Sequence, residues 1–439
     1  MRLYSFLFVA SLTGCAVTMP QPQPVPLAAW QASAPTAQRM AEQAAWWSSW
    51  QDPALDRLLQ AAQQANPSLQ LAEARIREAR AKTDSAKAYL WPTVAGNGSA
   101  TRSQNEMIEP GFVTNHAGFG LDASWEIDLW GGIRAAKQGL EANVAARTTE
   151  WHDARASVAA EVANAYVALR AYQQMADIVA LDLQSRDRSL QLTQDKQAVG
   201  LASPVDVALL DASSADAAAQ LVEMQEGVSL GVKALVALSG LSEADVRQIV
   251  AQGQLPQPLG FAVSTIPADV ITQRHDIRVA AEQVKMAAAD VGVAEVARLP
   301  SLSLFGAISI GRQDAGSLEL TGHSWSFGPS LKLPIFNAGR LKADQVAAEA
   351  RFDQAQASYQ QRVRFAVREV EETMVRLDGS ARRVAAMQRS VAGYQQQWDA
   401  SEALWQAGSA SLLDVEVSRR FLLTAQTRLI SLQREQLSH

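Results

Sequence analysis

The residue whose setting most clearly predicts a chemical modification is Cys15, the single cysteine among 439 residues. Arg2 and an apolar run over 3–12 lead into Leu12-Thr13-Gly14-Cys15, so residues 1–14 have the layout of a signal peptide. The four-residue segment resembles a bacterial lipobox, which predicts cleavage before Cys15 and acylation of its thiol and its new amino group. An ordinary signal peptide with an incidental cysteine is the alternative.

Residue types that commonly serve catalysis or metal binding form no recognisable motif in this chain. The histidines lack the spacing of metal ligands, and there is neither a phosphate-binding glycine loop nor a nucleophile motif. We therefore expect no enzyme activity, no cofactor and no metal, and any energy must come from a partner. A net charge of -6 and a pI near 5.5 argue against a nucleic-acid partner. The histidines are at 116, 152, 275, 323 and 439.

A proline-rich segment follows the cysteine. Prolines at 20, 22, 24 and 26 predict an extended tether within a lipidated N-terminal segment, 15–45. No later segment contains 18 consecutive apolar residues, so any part that crosses a membrane is expected to consist of β-strands.

The two halves of the chain repeat each other, mostly at an offset of 208 residues. The matched pairs are Asn66–Leu69 with Arg274–Ile277, Leu90-Trp91-Pro92 with Arg298-Leu299-Pro300, Gly200 with Gly408, and, at an offset of 206, Trp130–Arg134 with Phe336–Arg340. This duplication predicts a first repeat over 46–240 and a second over 268–439, joined by a connecting equatorial segment, 241–267.

Each repeat contains two segments in which apolar and polar residues alternate, which predicts strands with two different faces. They cover about 93–103, 118–129, 301–311 and 324–335. A length near ten residues suits a strand tilted across a bilayer, apolar toward lipid and polar toward water. The alternative is a soluble four-stranded sheet. Four strands are too few to close a membrane barrel, so two or three chains must share one.

Helical segments fill the rest of each repeat. Shorter helices are predicted over 68–90 and about 268–298, each ended by a proline. Proline-free stretches at 133–199 and 341–407 predict helices of roughly 100 Å at 1.5 Å per residue. Heptad spacing of apolar residues from Val158 onward indicates coiled-coil packing. A fibrous coiled coil also explains these heptads, but not the alternating strands.

Glycines divide each long helix from the helix that follows it. After Gly200, Ser203 is a good N-cap, Pro204 suits the first helical position, and Asp206 stands where a capping box needs an acid. Gly408 and the segment 411–414 repeat this pattern without the proline. We therefore predict helical hairpin tips at about 200 and 408.

Motifs spread over nearly the whole mature chain resemble those of the TolC-like outer-membrane factor family, in particular its lipoprotein branch (OprM/NodT-like). They are Trp46-Trp47, Trp50, Asp52-Pro53-Ala54-Leu55, Asn66-Pro67-Ser68-Leu69, Trp125 to Gly131, Arg274 to Arg278, Pro300 to Leu304, and Pro334 to Arg340. One departure is His275, which stands where the family usually has proline.

This resemblance implies a mainly α fold with a membrane β part, in which each chain supplies two helical hairpins and four strands. Three chains would form a 12-strand β-barrel in the outer membrane and a 12-helix α-barrel across the periplasm. The homotrimer would be held in outer-membrane lipid by the acylated Cys15. It would dock on a periplasmic adaptor protein and a proton-driven inner-membrane transporter, as a passive exit duct for small molecules such as drugs.

The resemblance also implies two sets of functional residues near the hairpin tips. A periplasmic gate is expected to use Leu412, Leu413, Asp414, Glu416, Arg419 and Arg420. Adaptor contacts are expected at Gly200, Leu201, Ser203, Gly408 and Ser409. In the gate pattern Val417 replaces the family's aspartate, whereas Arg420 matches its arginine. Helix capping by Asp414, hairpin packing by the two leucines and turn geometry at the glycines are simpler alternatives.

Two further functional interpretations stay open at this point. The same architecture serves as the outer-membrane duct of type I protein secretion. A lipid-anchored coiled-coil structural protein without a pore belongs to a different class and would conduct no ions.

Overall fold

The computed structural model describes residues 19–21, 47, 50–105, 112–257, 271–315 and 318–439. Within these residues helices dominate, and four antiparallel strands form one sheet. In chain order the elements are α1 Pro53–Ala65, α2 Pro67–Ala88, β1 Thr93–Asn105, β2 Phe112–Ile127, α3 Gly132–Ala198, α4 Pro204–Ser239, α5 Glu243–Ile249, α6 His275–Val296, β3 Ser301–Ala315, β4 Leu318–Lys332, α7 Arg340–Gln406 and α8 Leu412–Ser438.

The chain divides into two compact units. The strand unit comprises the described residues within Met1–Pro26, Ala72–Glu150 and Gln273–Val363. The hairpin unit comprises those within Leu27–Leu71, Trp151–Thr272 and Arg364–His439.

The sheet of the strand unit has the order β1-β2-β3-β4, so β1 and β4 are its edges. Thr93 of β1 pairs with Ser124 of β2, and Ser301 of β3 pairs with Lys332 of β4. β1 and β3 begin where the alternating segments begin, at 93 and 301, but continue past them to 105 and 315. β2 and β4 begin six residues before the predicted segments, at 112 and 318, and end at 127 and 332. The ladder hydrogen bonds thus extend toward the β1–β2 and β3–β4 connections, beyond the alternation of side chains. At its C-terminal end β4 stops at Lys332, two residues before Pro334, which has no N–H to donate to a ladder.

The two faces of the sheet differ in chemistry. On the apolar face, Phe119 pairs with Ile310, and Leu121 with Ile308, which in turn pairs with Trp325. On the polar face, the hydroxyls of Ser309 and Ser324 lie 2.8 Å apart, and those of Thr93 and Ser124 3.1 Å apart. Both faces are largely exposed in the single chain, including apolar side chains such as Trp325 at 71%.

The structure corrects the offset of 206 at the start of the long helices. Both α3 and α7 begin directly after a glycine of positive φ, Gly131 and Gly339 (both 86°), and these glycines are 208 residues apart. The second repeat has a shorter connection between its strands, from 315 to 318 instead of 105 to 112. A longer connection from β4 to α7, from 332 to 340, restores the common offset.

The largest apolar core lies in the hairpin unit, where α1, α3, α4 and α5 pack together. Asp52 caps α1 by accepting hydrogen bonds from the N–H groups of Ala54 (3.0 Å) and Leu55 (3.3 Å). The core side chains with almost no exposure include Leu55, Leu58, Val162, Tyr166, Leu169 and Leu235. No single described helix has the length and apolar composition needed to cross a membrane, although the bent pair α4 and α5 meets that criterion.

Candidate functional site

The two hairpin tips share one backbone design. At the first tip the N–H of Leu201 bonds to the carbonyl of Lys196 (2.7 Å), and that of Gly200 to the carbonyl of Gln197 (2.9 Å). This pair of bonds is a Schellman motif, and it needs the positive φ that Gly200 adopts (82°). At the second tip Ser409 and Gly408 (φ 75°) make the same two bonds, at 2.8 and 2.9 Å.

Each tip then starts its second helix with a capping box. The Asp206 carboxylate accepts from the N–H (3.0 Å) and hydroxyl (2.8 Å) of Ser203, whose oxygen in turn accepts from the Asp206 N–H (3.1 Å). Ser411 and Asp414 form the same arrangement. Because the serine bonds favour the ionised carboxylate, they hold the pKa of Asp206 and that of Asp414 below the usual value.

The surfaces of the two tips differ. The first tip exposes apolar side chains, of which Leu201 (77%) and Val205 (76%) are the most accessible. The second tip has Ser409 in the place of Leu201, and its exposed large apolar side chains, Leu404 (53%) and Leu413 (51%), are less accessible than those of the first tip. An exposed apolar cluster on a single turn is unusual for a surface in contact with water, and it suits a protein contact.

Two of the predicted gate residues lie together inside the hairpin unit. Glu416 is buried and accepts a hydrogen bond from the hydroxyl of Ser189 in α3 (2.7 Å). Arg419 donates to the same carboxylate (3.0 Å), and its guanidinium carbon lies 5.6 Å from the centre of the Trp398 ring in α7. These contacts join α8 to α3 and α7 within one chain.

The other predicted gate residues point away from this cluster. Asp414, Leu413 and Arg420 are exposed, and Leu412 is partly exposed. The Asp414 carboxylate is used by the capping box, as the capping alternative expects. Arg420 forms no ion pair with the part of the chain that the structure describes, although its neighbour Arg419 does.

Sequence reasoning missed a buried polar network beside α1. Arg170 of α3 is 2% exposed and donates to the carbonyls of Val250 (2.9 Å) and Gln252 (2.7 Å). It also donates to the Tyr166 hydroxyl (2.9 Å), which itself donates to Asp52 (2.5 Å). Burial, together with the bond to Asp52, raises the pKa of Tyr166. The network ties the N-cap of α1 to α3 and to the segment after α5.

Cys15 lies outside the described residues. A short part of the tether beyond it is described, and there Met19 packs against Gly292 of α6. A methyl group added at Gly292 would lie 3.2 Å from Cγ of Met19 and 3.4 Å from Cβ of Ala135. Because Gly292 has no side chain, α6 and α3 form a notch that receives Met19, four residues after the predicted acylation site.

Comparisons with known proteins agree on one family. A model of the family described as outer membrane efflux protein matches residues 58–241 and 266–439. The pyoverdine export outer membrane protein OpmQ of Pseudomonas aeruginosa is 28% identical over 449 aligned residues, covering 99% of this chain and 94% of that protein. Nodulation protein T of Rhizobium leguminosarum bv. trifolii is 27% identical, covering 88% of this chain and 83% of its own length. The structure of the outer-membrane channel OprN superposes with a TM-score of 0.85, at 26% identity and over 96% of each chain.

Proposed function

The chain belongs to the outer membrane efflux protein family and is an outer-membrane efflux channel protein, and from this premise we propose that three copies form one passive exit duct. The duct carries small molecules from a periplasmic adaptor and an inner-membrane transporter to the outside. The transporter is proton-driven and supplies the energy.

The observation that carries this proposal is the exposed two-faced sheet with two open edges. In hydrocarbon an unpaired N–H or carbonyl costs several kcal/mol, so β1 and β4 must pair with strands of other copies. The apolar face around Phe119 and Trp325 suits lipid, and the polar face around Ser309 and Ser324 suits water. Two copies would pair the backbone groups of these edge strands as well as three would. The likeness to the family favours three.

Three copies give a closed sheet of twelve strands. At a spacing near 4.8 Å and a tilt of about 40°, its backbone diameter is roughly 24 Å. The side chains of the polar face narrow this diameter, and the water-filled space that remains still admits many small solutes, which supports a duct whose substrates are chosen mainly by its partners.

The hairpin tips provide the contact with the adaptor. The first tip, with Gly200, Leu201 and Ser203, presents exposed leucine and valine side chains to an apolar partner surface. The second tip, with Gly408 and Ser409, has the same backbone but exposes less apolar surface. We assign the stronger adaptor contact to the first tip, because binding there removes more apolar surface from water.

The gate residues divide into two groups by their contacts. Glu416 and Arg419 hold α8 to its own chain, whereas Leu413, Asp414 and Arg420 are exposed and able to meet the same residues of other copies. In this proposal Arg420 pairs with a carboxylate of a neighbouring copy in the closed state. Leu412 and Leu413 narrow the passage beside it.

The lipid anchor is the acylated Cys15. With Met19 held at Gly292, four residues of extended chain let the thiol reach within roughly 14 Å of this notch. The acyl chains then enter the membrane leaflet near the start of the strands.

Two measurements on the purified, acylated protein test the proposal. Native mass spectrometry is expected to give three times the mass of the mature, acylated chain. Before cleavage of the signal peptide one chain has a mass of 47.3 kDa. Reconstitution into planar bilayers is expected to give discrete ion-conducting steps. A single chain that leaves the bilayer impermeable contradicts the proposal, and a mass of two chains contradicts the trimer alone.

A paired-cysteine experiment tests the strand edges directly. Cysteines placed in β1 and β4, in a chain with Cys15 changed to serine, are expected to link adjacent copies under mild oxidation. Cysteines in β2 and β3 at the same heights serve as the control, because those strands already pair within the chain.

A further inference from the structure

The polar face of the sheet carries a large aromatic side chain, Phe305, the fifth of the fifteen residues of β3. Its cross-strand neighbours are Ser124 on one side and Gly328 on the other. Phe305 is 46% exposed, although the residues beside it along this face, Ser303 and Ala307, are small. The nearest neighbours of the ring on this face are serine, alanine and glycine, and the other exposed large apolar side chain among the described residues of the face, Leu320, lies eight residues away along the ladder.

The internal duplication shows that the fold does not require a phenyl group here. At the common offset of 208, Phe305 corresponds to Asn97 of the first repeat. Asn97 also lies on the polar face, and its amide donates a hydrogen bond to the Asp122 carboxylate. The same strand position therefore carries an amide in one repeat and an aromatic ring in the other.

One structural role for the ring is to cover a glycine. A methyl group added at Gly328 would lie 3.7 Å from Cε1 and Cζ of Phe305, so the ring lies over this glycine at van der Waals distance. A leucine of similar reach covers a glycine as well. Covering a glycine thus accounts for an apolar or aromatic side chain at this position, and it leaves about half of the ring surface open to a solute.

The surroundings of the ring are negatively charged. On β2, Asp122 and Glu126 lie one row to either side of Ser124, so each carboxylate is diagonal to Phe305 at about 7–8 Å. Both side chains are exposed. Among the described strand residues of this face the basic side chain is Lys332, which pairs with Ser301, four residues along β3 and so about 13 Å from the Phe305 row.

We propose that Phe305, with Asp122 and Glu126, forms a contact site for aromatic organic cations inside the passage. The ring offers its negative face and the carboxylates offer opposite charge, which together fit a planar cation and disfavour an aromatic anion. The inference rests on the proposed function, because it places the polar face toward the passage. Three copies then supply three such sites at one level, which makes the passage favour cationic aromatic solutes.

Ethidium is the probe for this site, titrated by its fluorescence into the detergent-solubilised full-length protein with an empty-micelle baseline. Phe305→Leu keeps the apolar cover over Gly328 and is expected to raise the dissociation constant about three- to fivefold. Phe305→Tyr is expected to retain the affinity of the original chain. Glu126→Gln is expected to raise the constant by roughly twofold and to weaken its salt dependence.

The matched control is Phe119→Leu. Phe119 is 57% exposed on the opposite face and also lies over a glycine, since a methyl group at Gly98 would be 3.8 Å from its Cδ2. This variant is expected to bind ethidium like the original chain. Tetraethylammonium, which has no ring, is expected to displace ethidium poorly from every variant.

The possible results distinguish a failure of the proposed Phe305 site from a failure of the proposed duct function. Equal ethidium affinity of Phe305→Leu and the original chain, in protein that still forms conducting trimers, refutes the site and leaves the duct intact. Protein without trimers or conductance refutes the duct. If Phe305→Leu does not assemble, Glu126→Gln decides the question, and an unchanged dissociation constant refutes the site.

Discussion

The replacement of Gly227 by alanine sets two opposed effects of similar size against each other. Gly227 lies in the interior of α4, where glycine costs about 1 kcal/mol relative to alanine in helix propensity. Propensity alone therefore predicts that Gly227→Ala stabilises the protein. The packing against α3 predicts the reverse.

A methyl group on Gly227 would lie 2.5 Å from Cδ1 of Tyr172 and 2.7 Å from two further ring atoms. Carbon atoms pack best at about 3.5–4.0 Å, so the ring or the helix must retreat by roughly 1 Å. These atoms belong to the body of a rigid ring, so a small side-chain rotation does not relieve the contact. Overpacking of this kind costs about 1–3 kcal/mol, which outweighs the gain in propensity. We expect a net loss of about 1 kcal/mol.

Gly393→Ala in α7 is the matched control. A methyl group there meets nothing within 4 Å, so only the gain in helix propensity remains. An unfolding entropy near 2.1 cal/mol/K per residue converts 1 kcal/mol into a shift of roughly 1 °C for this chain. Far-UV circular dichroism melts in detergent, at a fixed scan rate, are expected to lower the midpoint for Gly227→Ala and raise it for Gly393→Ala. An equal rise for both variants refutes the packing argument.

Three further predictions concern the buried Arg170, the capping aspartates of the tips, and the two arginines of the proposed gate. Arg170→Met is expected to lower the free energy of unfolding by about 1–3 kcal/mol for each buried acceptor left without a donor, and thermal melts measure this loss. At a pH above the ordinary aspartate pKa, the capping boxes of Asp206 and Asp414 contribute their full stabilisation to the tips. This stabilisation is lost as the pH falls through the lowered pKa values of the two aspartates in the folded protein. Pepsin is then expected to cut at the tips more readily below about pH 4, and the double change of both aspartates to asparagine is expected to remove this pH dependence. Arg420→Glu is expected to increase conductance in planar bilayers while the fold survives, whereas Arg419→Glu is expected to lower the melting midpoint, and unchanged closure with Arg420→Glu contradicts the gate assignment.

The mainly helical fold with antiparallel strands and the membership in the outer-membrane efflux family were predictable from sequence, and both are confirmed. Their signals are local. A glycine followed three residues later by a serine cap defines a helical hairpin tip, because positive φ and side-chain capping depend on neighbouring residues alone. Alternation over ten residues likewise predicts a strand without knowledge of its partner.

The roles of single charged residues were not predictable in this way. Arg419 and Arg420 are adjacent in sequence and look alike, yet one contacts Trp398 and Glu416 while the other is exposed. Arg170 lies beside the apolar seam of α3, where an arginine ordinarily belongs to a solvated face. Its burial depends on the carbonyl of Val250, 80 residues away, and no local pattern records such a partner.

The duplication explains why local signals succeed for the backbone and fail for the surfaces. Both repeats need the same positive-φ glycines at the same offset, Gly131 with Gly339 and Gly200 with Gly408, because the turns cannot form without them. Side chains that project from this backbone are under no such restraint, and Leu201 at one tip corresponds to Ser409 at the other. In the proposed ring of three chains, the two similar repeats of each chain would give six tips of two alternating kinds. Exchange of the two tip sequences, 199–206 and 407–414, therefore tests whether the surfaces or the repeats determine adaptor contact. If binding of the adaptor follows the apolar tip to its new repeat, the surface determines the contact, and if binding is lost, the position in the repeat does.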